Sequence, residues 1–381
     1  MRSPLLNSLL NPLLNSQSNL IVNLSLVGQK PTGLATYAAN LVPKLALPDL
    51  TALTPTGLES TLLNGAVQDF SYYPIPANLS AEHGKWGHLR RLLWTQFNLP
   101  QIYHDLQSTL LFSPVPEAPL FSRCRAVVMV HDLIPLRFPK WTSPLTPYFQ
   151  YYVPQVLAQA QHILCNSDAT ATEIVERFSI SAQKVTPIPL AYDVNHFQFL
   201  DLPTQPYFMY LGRHDPPKNV QRLVSAFAAL RDRHHYELWL VGPVDPRYTP
   251  ALMAQAEELG VGSQVKCLNY VPYQDLPRLL NGAIALVFPS LWEGFGFPVL
   301  EAMACGTPVI TSNLSALPEV AGDAAILVNP YQVEEIAAAM HTVMNDGMAR
   351  SHLRTAGLAR ARHFRWEKTA EKTAAVLQQF L

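Results

Sequence analysis

Short apolar, β-rich runs alternate with helical patterns along almost the whole chain, and the alternation starts afresh at Tyr207. In the first half, Leu20–Val27 leads through a Gly/Pro turn to the helical pattern of Leu34–Leu47. The apolar run Ala126–Val130 stops at His131-Asp132. His162–Cys165 runs into Asn166-Ser167-Asp168, a helix-start signal for Ala169–Phe178, and Val185–Pro189 is a further strand. In the second half Tyr207–Leu211 is followed by a helix at Val220–Arg231, Glu237–Val241 by one at Pro250–Leu259, and then by Val265–Leu268. Ala283–Phe288 and Thr307–Thr311 flank a helix beginning near Phe297, and Ala325–Val328 is the last strand. Val333–Asn345, Met348–His363 and Trp366–Phe380 read as closing helices.

Such alternation demands parallel strands joined by helical crossovers, hence an α/β architecture with helices on both sheet faces. A polar, Pro-containing stretch without either period, Asp193–Pro206, separates the halves. With 381 residues the chain is long enough for two domains, each with its own core. The expected division is a flexible extension over 1–19, a Rossmann-like domain over 20–194, a second over 195–365, and a final helix over 366–381 that crosses back to the first. Ligands of open parallel sheets sit outside the carboxyl ends of the strands, so a cleft between two such halves is where chemistry is expected.

Composition removes other classes. Hydrophobic residues make up 49% and charged residues only 14%, the reverse of a disordered chain. Lys+Arg and Asp+Glu nearly cancel, 27 against 28, without the basic excess of a nucleic-acid binder. The opening tract MRSPLLNSLLNPLLNSQSNL is apolar in pieces, but Asn, Ser and Pro12 interrupt it. It is too broken for a membrane span or a signal-peptide core and reads as a poorly ordered extension, with an interfacial membrane anchor as the alternative. Cys124, Cys165, Cys267 and Cys305 show neither CxxC pairing nor zinc spacing. Three of them lie in apolar runs and read as buried small hydrophobes, which suggests a reducing, cytoplasmic setting.

Four groups of residues could carry chemistry. The strongest is Glu293-Gly-Phe-Gly-Phe-Pro-Val-Leu-Glu301, which directly follows a strand. Gly294 and Gly296 let the amides of Gly294, Phe295 and Gly296 approach a ligand, and the helix that follows adds partial positive charge. Glu293 and Glu301 could accept hydrogen bonds from hydroxyls, although a capped helix with two surface acids has the same spacing. Arg213 and Lys218, both in the loop after Tyr207–Leu211, could neutralise a diphosphate, or could simply be solvated. Pro31-Thr32-Gly33 follows the first strand without a GxGxxG pattern, and is either a phosphate-approach turn or a plain one. His131 caps a buried strand, where it is either structural or placed to bond a sugar hydroxyl. There is no DxD pair, no Walker A sequence and no GxSxG elbow.

Taken together and in this order, these motifs resemble the family-4 retaining glycosyltransferases of GT-B architecture, from about Leu20 to the C-terminus. Pro-Thr-Gly33 resembles the family's N-terminal glycine loop, His131-Asp132 its active-site histidine segment, and Glu293 to Glu301 its E-x7-E signature, continued by Ala302-Met-Ala-Cys-Gly-Thr-Pro308. The His131-to-Pro139 stretch and Asn166–Thr170 look most like a mannosyltransferase-like branch that builds polysaccharides. The resemblance implies that Arg213 and Lys218 bind the donor diphosphate, with Gly33 bringing amides against it. Glu293 and the Gly294-Phe295-Gly296 amides would hold the sugar, Glu301 the ribose hydroxyls, and Val271 would lie near the base. His131 would contact the transferred sugar. Thr32 replaces a second glycine common in the family, and Pro216-Pro217 stiffens the cationic loop.

The resemblance further implies transfer of a hexose, with mannose favoured, from a nucleotide sugar to a hydroxyl, with retention and without a metal or other cofactor. GDP-mannose is the favoured donor and a UDP-sugar the alternative. The acceptor would be a glycan, a lipid-linked or a small molecule. Competing readings are a sugar-nucleotide epimerase on the same fold and a non-catalytic sugar-nucleotide-binding protein. Residues 83–94 (HGKWGHLRRLLW) combine basic and apolar side chains. They suggest either peripheral contact with an anionic membrane or a packed helix with a solvated basic side.

Overall fold

The computed structural model describes residues 19–29, 33–58, 71–140 and 142–381, so the reading of the first eighteen residues and of Thr32 falls outside the described part. Contacts divide the chain into two compact units, one ending at Leu190 and including Trp366–Leu381, the other Ala191–Arg365.

The first unit holds strands β1 (Leu20–Asn23), β2 (Leu50–Pro55), β3 (Ser71–Ile75), β4 (Leu110–Ser113), β5 (Ala126–Val130), β6 (His162–Cys165) and β7 (Val185–Pro187). They lie in the order β3-β2-β1-β4-β5-β6-β7. All pairs are parallel: Leu20 registers with Leu50 on one side and Leu110 on the other, and Val130 with Cys165. Every residue of β1, β4, β5 and β6 is buried, which is why these strands read as unbroken apolar runs. β3 contains Pro74, which an edge strand tolerates because its missing N–H faces no partner.

Local chemistry trims the expected elements. β1 ends at Asn23, because the chain turns at once and Val27 N–H donates to the Leu24 carbonyl at 2.9 Å. The first helix covers Gly33–Leu41 and tightens into a single 3₁₀ turn, Val42–Lys44, where Pro43 cannot continue the α-helical ladder. Ser167 caps helix Asp168–Phe178, its hydroxyl accepting from Thr170 N–H at 3.2 Å. The final helix, Trp366–Gln378, packs in this unit: Thr369 donates to the Pro189 carbonyl at 2.8 Å, and the Trp366 ring lies 6.2 Å from that of Tyr37.

Polar order also runs through this unit's core. Arg91, on helix Gly84–Phe97, grips Glu117 with two bonds of 2.8 Å, and the Tyr148 hydroxyl donates to the same carboxylate at 3.3 Å. Both charges are buried, Arg91 to 7% and Glu117 to 1% exposure. Burial pushes the Glu117 carboxyl up, but the Arg91 guanidinium outweighs it and the net direction is down.

The second unit has strands β8 (Tyr207–Leu211), β9 (Glu237–Val241), β10 (Val265–Leu268), β11 (Ala285–Phe288), β12 (Val309–Ser312) and β13 (Ile326–Val328), all parallel, in the order β10-β9-β8-β11-β12-β13. β8 and β11 are neighbours although 73 residues separate Leu211 from Ala285. In both sheets the strand order reverses beside the first strand of the unit, which places the switch points between β1 and β4 and between β8 and β11. Cys165 and Cys305 are buried as expected, but Cys267 is only partly so, because β10 is an edge strand; Cys124 is also partly exposed.

Candidate active site

The loops after β8 and β11 meet at the second unit's switch point. After β8 the chain passes Gly212 and Arg213, makes the 3₁₀ turn Pro216–Lys218, and enters helix Val220–Ala228 through Asn219 in the left-handed region (φ 60°). The Asn219 side chain is the fastener: its buried amide donates to the carbonyls of Pro289 at 3.0 Å and Pro330 at 2.7 Å. Beside it, Leu291 N–H and the Ser290 hydroxyl both donate to the Pro217 carbonyl, at 2.8 and 3.0 Å. Pro216-Pro217 therefore stiffens a loop that must hold one shape.

This stitching sets Lys218 Nζ 2.6 Å from Glu293 Oε1, with the two side chains 18% and 12% exposed. Glu293 is held through its backbone as well, since its N–H donates to Ser315 Oγ at 3.0 Å. A cation and a carboxylate in the loops after two adjacent strands give this end of the sheet one group for an anion and one for a hydroxyl. Arg213 is exposed, and its carbonyl accepts from the buried Tyr210 hydroxyl at 2.5 Å, which fixes the loop but leaves the guanidinium toward solvent. Gly212 and Gly242, at the ends of β8 and β9, have φ of 152° and 151°, and a Cβ on Gly242 would fall 2.0 Å from the Gly212 carbonyl oxygen. The two loops approach this closely only because both residues are glycine.

Gly294, Phe295 and Gly296 are all buried. The Phe295 ring packs 5.5 Å from Phe297 and 5.9 Å from Phe364, so its side chain is committed to the unit's own packing. Gly296, at φ 115°, precedes helix Phe297–Ala304, and a Cβ there would meet Leu317 at 2.7 Å. Glu301 lies in that helix, where burial pushes its carboxyl up to about 7. Its charge also acts on Tyr273, two residues beyond Val271, so the loop after β10 shares its neighbourhood. Val271 itself is partly exposed.

A group poised near neutrality makes ligand binding depend on pH. If the ionised Glu301 carboxylate accepts hydroxyl hydrogen bonds, donor affinity at pH 8 exceeds that at pH 6 by about tenfold, since one pKa unit is about a factor of ten. The raised value also means that the unfolded chain ionises first, so Glu301 costs stability as pH rises from its ordinary range to about 7. Isothermal titration at the two pH values checks this, and Glu301→Gln should bind with no such step.

In the first unit His131 follows β5, one strand away from the β1/β4 switch point. Its Nε2 lies 2.9 Å from the Pro114 carbonyl, which can only accept, so Nε2 carries the proton. Burial drives the imidazole down to about 4, with the Pro114 bond only partly opposing. The ring is thus neutral at physiological pH, with Nδ1 as an acceptor. Tyr37 meets it edge-on at 4.7 Å, and Tyr37 sits on the helix that begins at exposed Gly33.

The arrangement gathers Lys218 with Glu293, and the Gly33 helix with His131. Sequence reasoning missed the roles of Asn219 and Ser315. Asn219 closes the Pro216–Lys218 turn in the left-handed region and makes no side-chain cap bond to the helix that follows, so its role rests on distant carbonyls, and nothing in the sequence marks Ser315.

Residues 31–196 match the family described as glycosyltransferase family 4, and residues 193–360 that described as glycosyl transferases group 1. The chain is 33% identical to O-antigen chain mannosyltransferase B of Escherichia coli over 65% of its own length and 69% of that protein. The chain belongs to glycosyltransferase family 4. It is also 33% identical to an MMP alpha-(1->4)-mannosyltransferase of Mycolicibacterium hassiacum, over 63% of the chain and 60% of that protein. Among solved structures it superposes on sucrose-phosphate synthase from Thermosynechococcus elongatus with a TM-score of 0.72 at 19% identity, covering 95% of this chain and 98% of that one. At that identity the likeness speaks to the fold, and the fold is GT-B.

Proposed function

We propose that the protein transfers a hexose, mannose in the first instance, from a nucleotide sugar to a hydroxyl of a glycan or lipid-linked acceptor during polysaccharide synthesis, with retention at the anomeric carbon. The observation that carries this reading is the Lys218–Glu293 pair at the carboxyl ends of β8 and β11. The match to mannosyltransferases supports the choice of sugar.

In this mechanism Lys218 and Arg213 meet the donor diphosphate, and the Gly294–Gly296 bend and Gly33 at the start of its helix offer it backbone N–H groups. Glu293 leaves its resting pair with Lys218 to accept from a sugar hydroxyl, and Glu301 accepts from the ribose. His131 presents its unprotonated Nδ1 to another sugar hydroxyl. The bond from the anomeric carbon to the diphosphate oxygen breaks as the acceptor oxygen bonds to the same face of that carbon. The acceptor's proton passes to the departing diphosphate. Positive side chains supply the charge stabilisation, so no metal is required. Four cysteines present as thiols fit a reducing, cytoplasmic compartment.

Thermal melts with GDP-mannose, UDP-glucose, UDP-N-acetylglucosamine and ADP-glucose, with magnesium or with EDTA, test the reading. A donor at 100 times its Kd stabilises by about 2.7 kcal/mol. GDP-mannose should raise the Tm equally in both conditions. A shift with a different sugar nucleotide corrects the donor, and no shift with any of them or with free GDP, UDP or ADP overturns the site.

A further inference from the structure

Helix Gly84–Phe97 buries Gly87, Arg91, Trp94 and Thr95 and leaves its other face bare. On that face Trp86 is 68% and Phe97 76% exposed, with Leu89 and Leu93 nearly half exposed. At about 100° per residue, Trp86, Leu93 and Phe97 fall within about 20° of a single line, with Leu89 about 60° to one side. The stripe adjoins a groove of about 610 Å³ walled by Leu92, Leu120, Tyr148 and Tyr152. Single exposed apolar residues are ordinary, but a continuous stripe beside an apolar groove needs a partner.

The charges carried by the helix itself have one sign. The helix contains no Asp or Glu, and Lys85 and Arg90 are exposed without a carboxylate partner among the described residues. Arg91 is committed to buried Glu117, and neighbouring His88 is held below its ordinary range by burial and by Arg91. The acid preceding the helix, Glu82, lies over Gly28, its carboxyl carbon 2.5 Å from where a Cβ would stand. A second copy of the chain packed on this face by a two-fold axis would oppose these cations to themselves. An anionic surface would not.

We propose that helix Gly84–Phe97 seats the protein on an anionic lipid bilayer, with Trp86, Leu93 and Phe97 at the acyl boundary and Lys85 and Arg90 among the headgroup phosphates. Among the described residues no helix is long and apolar enough to cross a membrane, so the contact is one of lying on the surface. This inference does not depend on which sugar is transferred.

Co-sedimentation with vesicles of phosphatidylcholine alone, or with 30% phosphatidylglycerol, tests it on the full chain. The wild type should pellet with the anionic vesicles and stay free of the neutral ones. Lys85→Gln with Arg90→Gln should lower the bound-to-free ratio about 30-fold, at about fivefold per charge. Trp86→Ser with Leu93→Ser should lower it at least tenfold. All four side chains are exposed, so melting curves and nucleotide-sugar shifts should match wild type, which separates failure here from failure of the donor site. Equal partitioning of wild type and both variants, or a wild type that ignores anionic vesicles, overturns the proposal. A lipid-free dimer in analytical ultracentrifugation that Trp86→Ser with Leu93→Ser abolishes assigns the face to a second copy and also overturns it.

Discussion

Lys218→Ala lowers kcat/KM about 10³-fold, by the reading of the site given above. Two losses combine. The departing diphosphate loses a positive charge that acts as negative charge develops on it, and removal of one such group costs about 10²–10³. Glu293, only 12% exposed, is also left without its cation 2.6 Å away, so it faces the donor's own phosphates as an unpaired anion. Lys218→Arg should recover part of the activity, because the charge returns on a different geometry. Glu293→Gln should cost about 10², and the double variant Lys218→Ala/Glu293→Gln far less than the product of the single losses, since the two groups act as a pair. Steady-state kinetics on the four proteins decides this, and Lys218→Ala activity within threefold of wild type would remove the pair from the reaction.

The second large effect concerns stability rather than rate. Glu117→Ala should destabilise the first unit by about 3–5 kcal/mol, because it strands the guanidinium of Arg91, 7% exposed, in an apolar surrounding. For a unit of this size that corresponds to a Tm lower by about 10 °C. Arg91→Met together with Glu117→Leu should restore much of the loss, since an apolar pair carries no desolvation cost. Because Glu117 is held below its ordinary range by Arg91, the pair's contribution is complete at neutral pH and fades only as acid protonates the carboxylate. Urea melts at pH 7 and pH 4 read both effects: the difference between wild type and Glu117→Ala should shrink at the lower pH.

The second unit was nearly all legible in the sequence and the first only in part, for a physical reason. Tyr207–Leu211, Glu237–Val241 and Val265–Leu268 are strands at the bounds their apolar runs indicated. β2 and β3 escaped notice because Leu50–Pro55 mixes Thr and Pro into its apolar run and Ser71–Ile75 carries Pro at a sheet edge. β4 also escaped, although its four residues are as fully buried as those of β1 and β6. At the site, the chemistry-bearing side chains stood out because they follow strands. Their partners did not. That Lys218 pairs with Glu293 depends on β8 lying beside β11, and that adjacency is a property of strand order rather than of any local pattern.

The return of Trp366–Gln378 to the first unit has a consequence for biogenesis. The Pro189 carbonyl waits for the hydroxyl of Thr369, 180 residues later, and the ring of Tyr37 waits still longer, for that of Trp366, 329 residues later. During synthesis the second unit therefore emerges with all of its strands before the first has received its last helix. A nascent chain carries the first unit unfinished for most of its time on the ribosome, open to chaperones and proteases, until the final residues arrive to cover it. Nonsense truncation just after Arg365 would leave every residue of the second unit in place and still cost the cell the first.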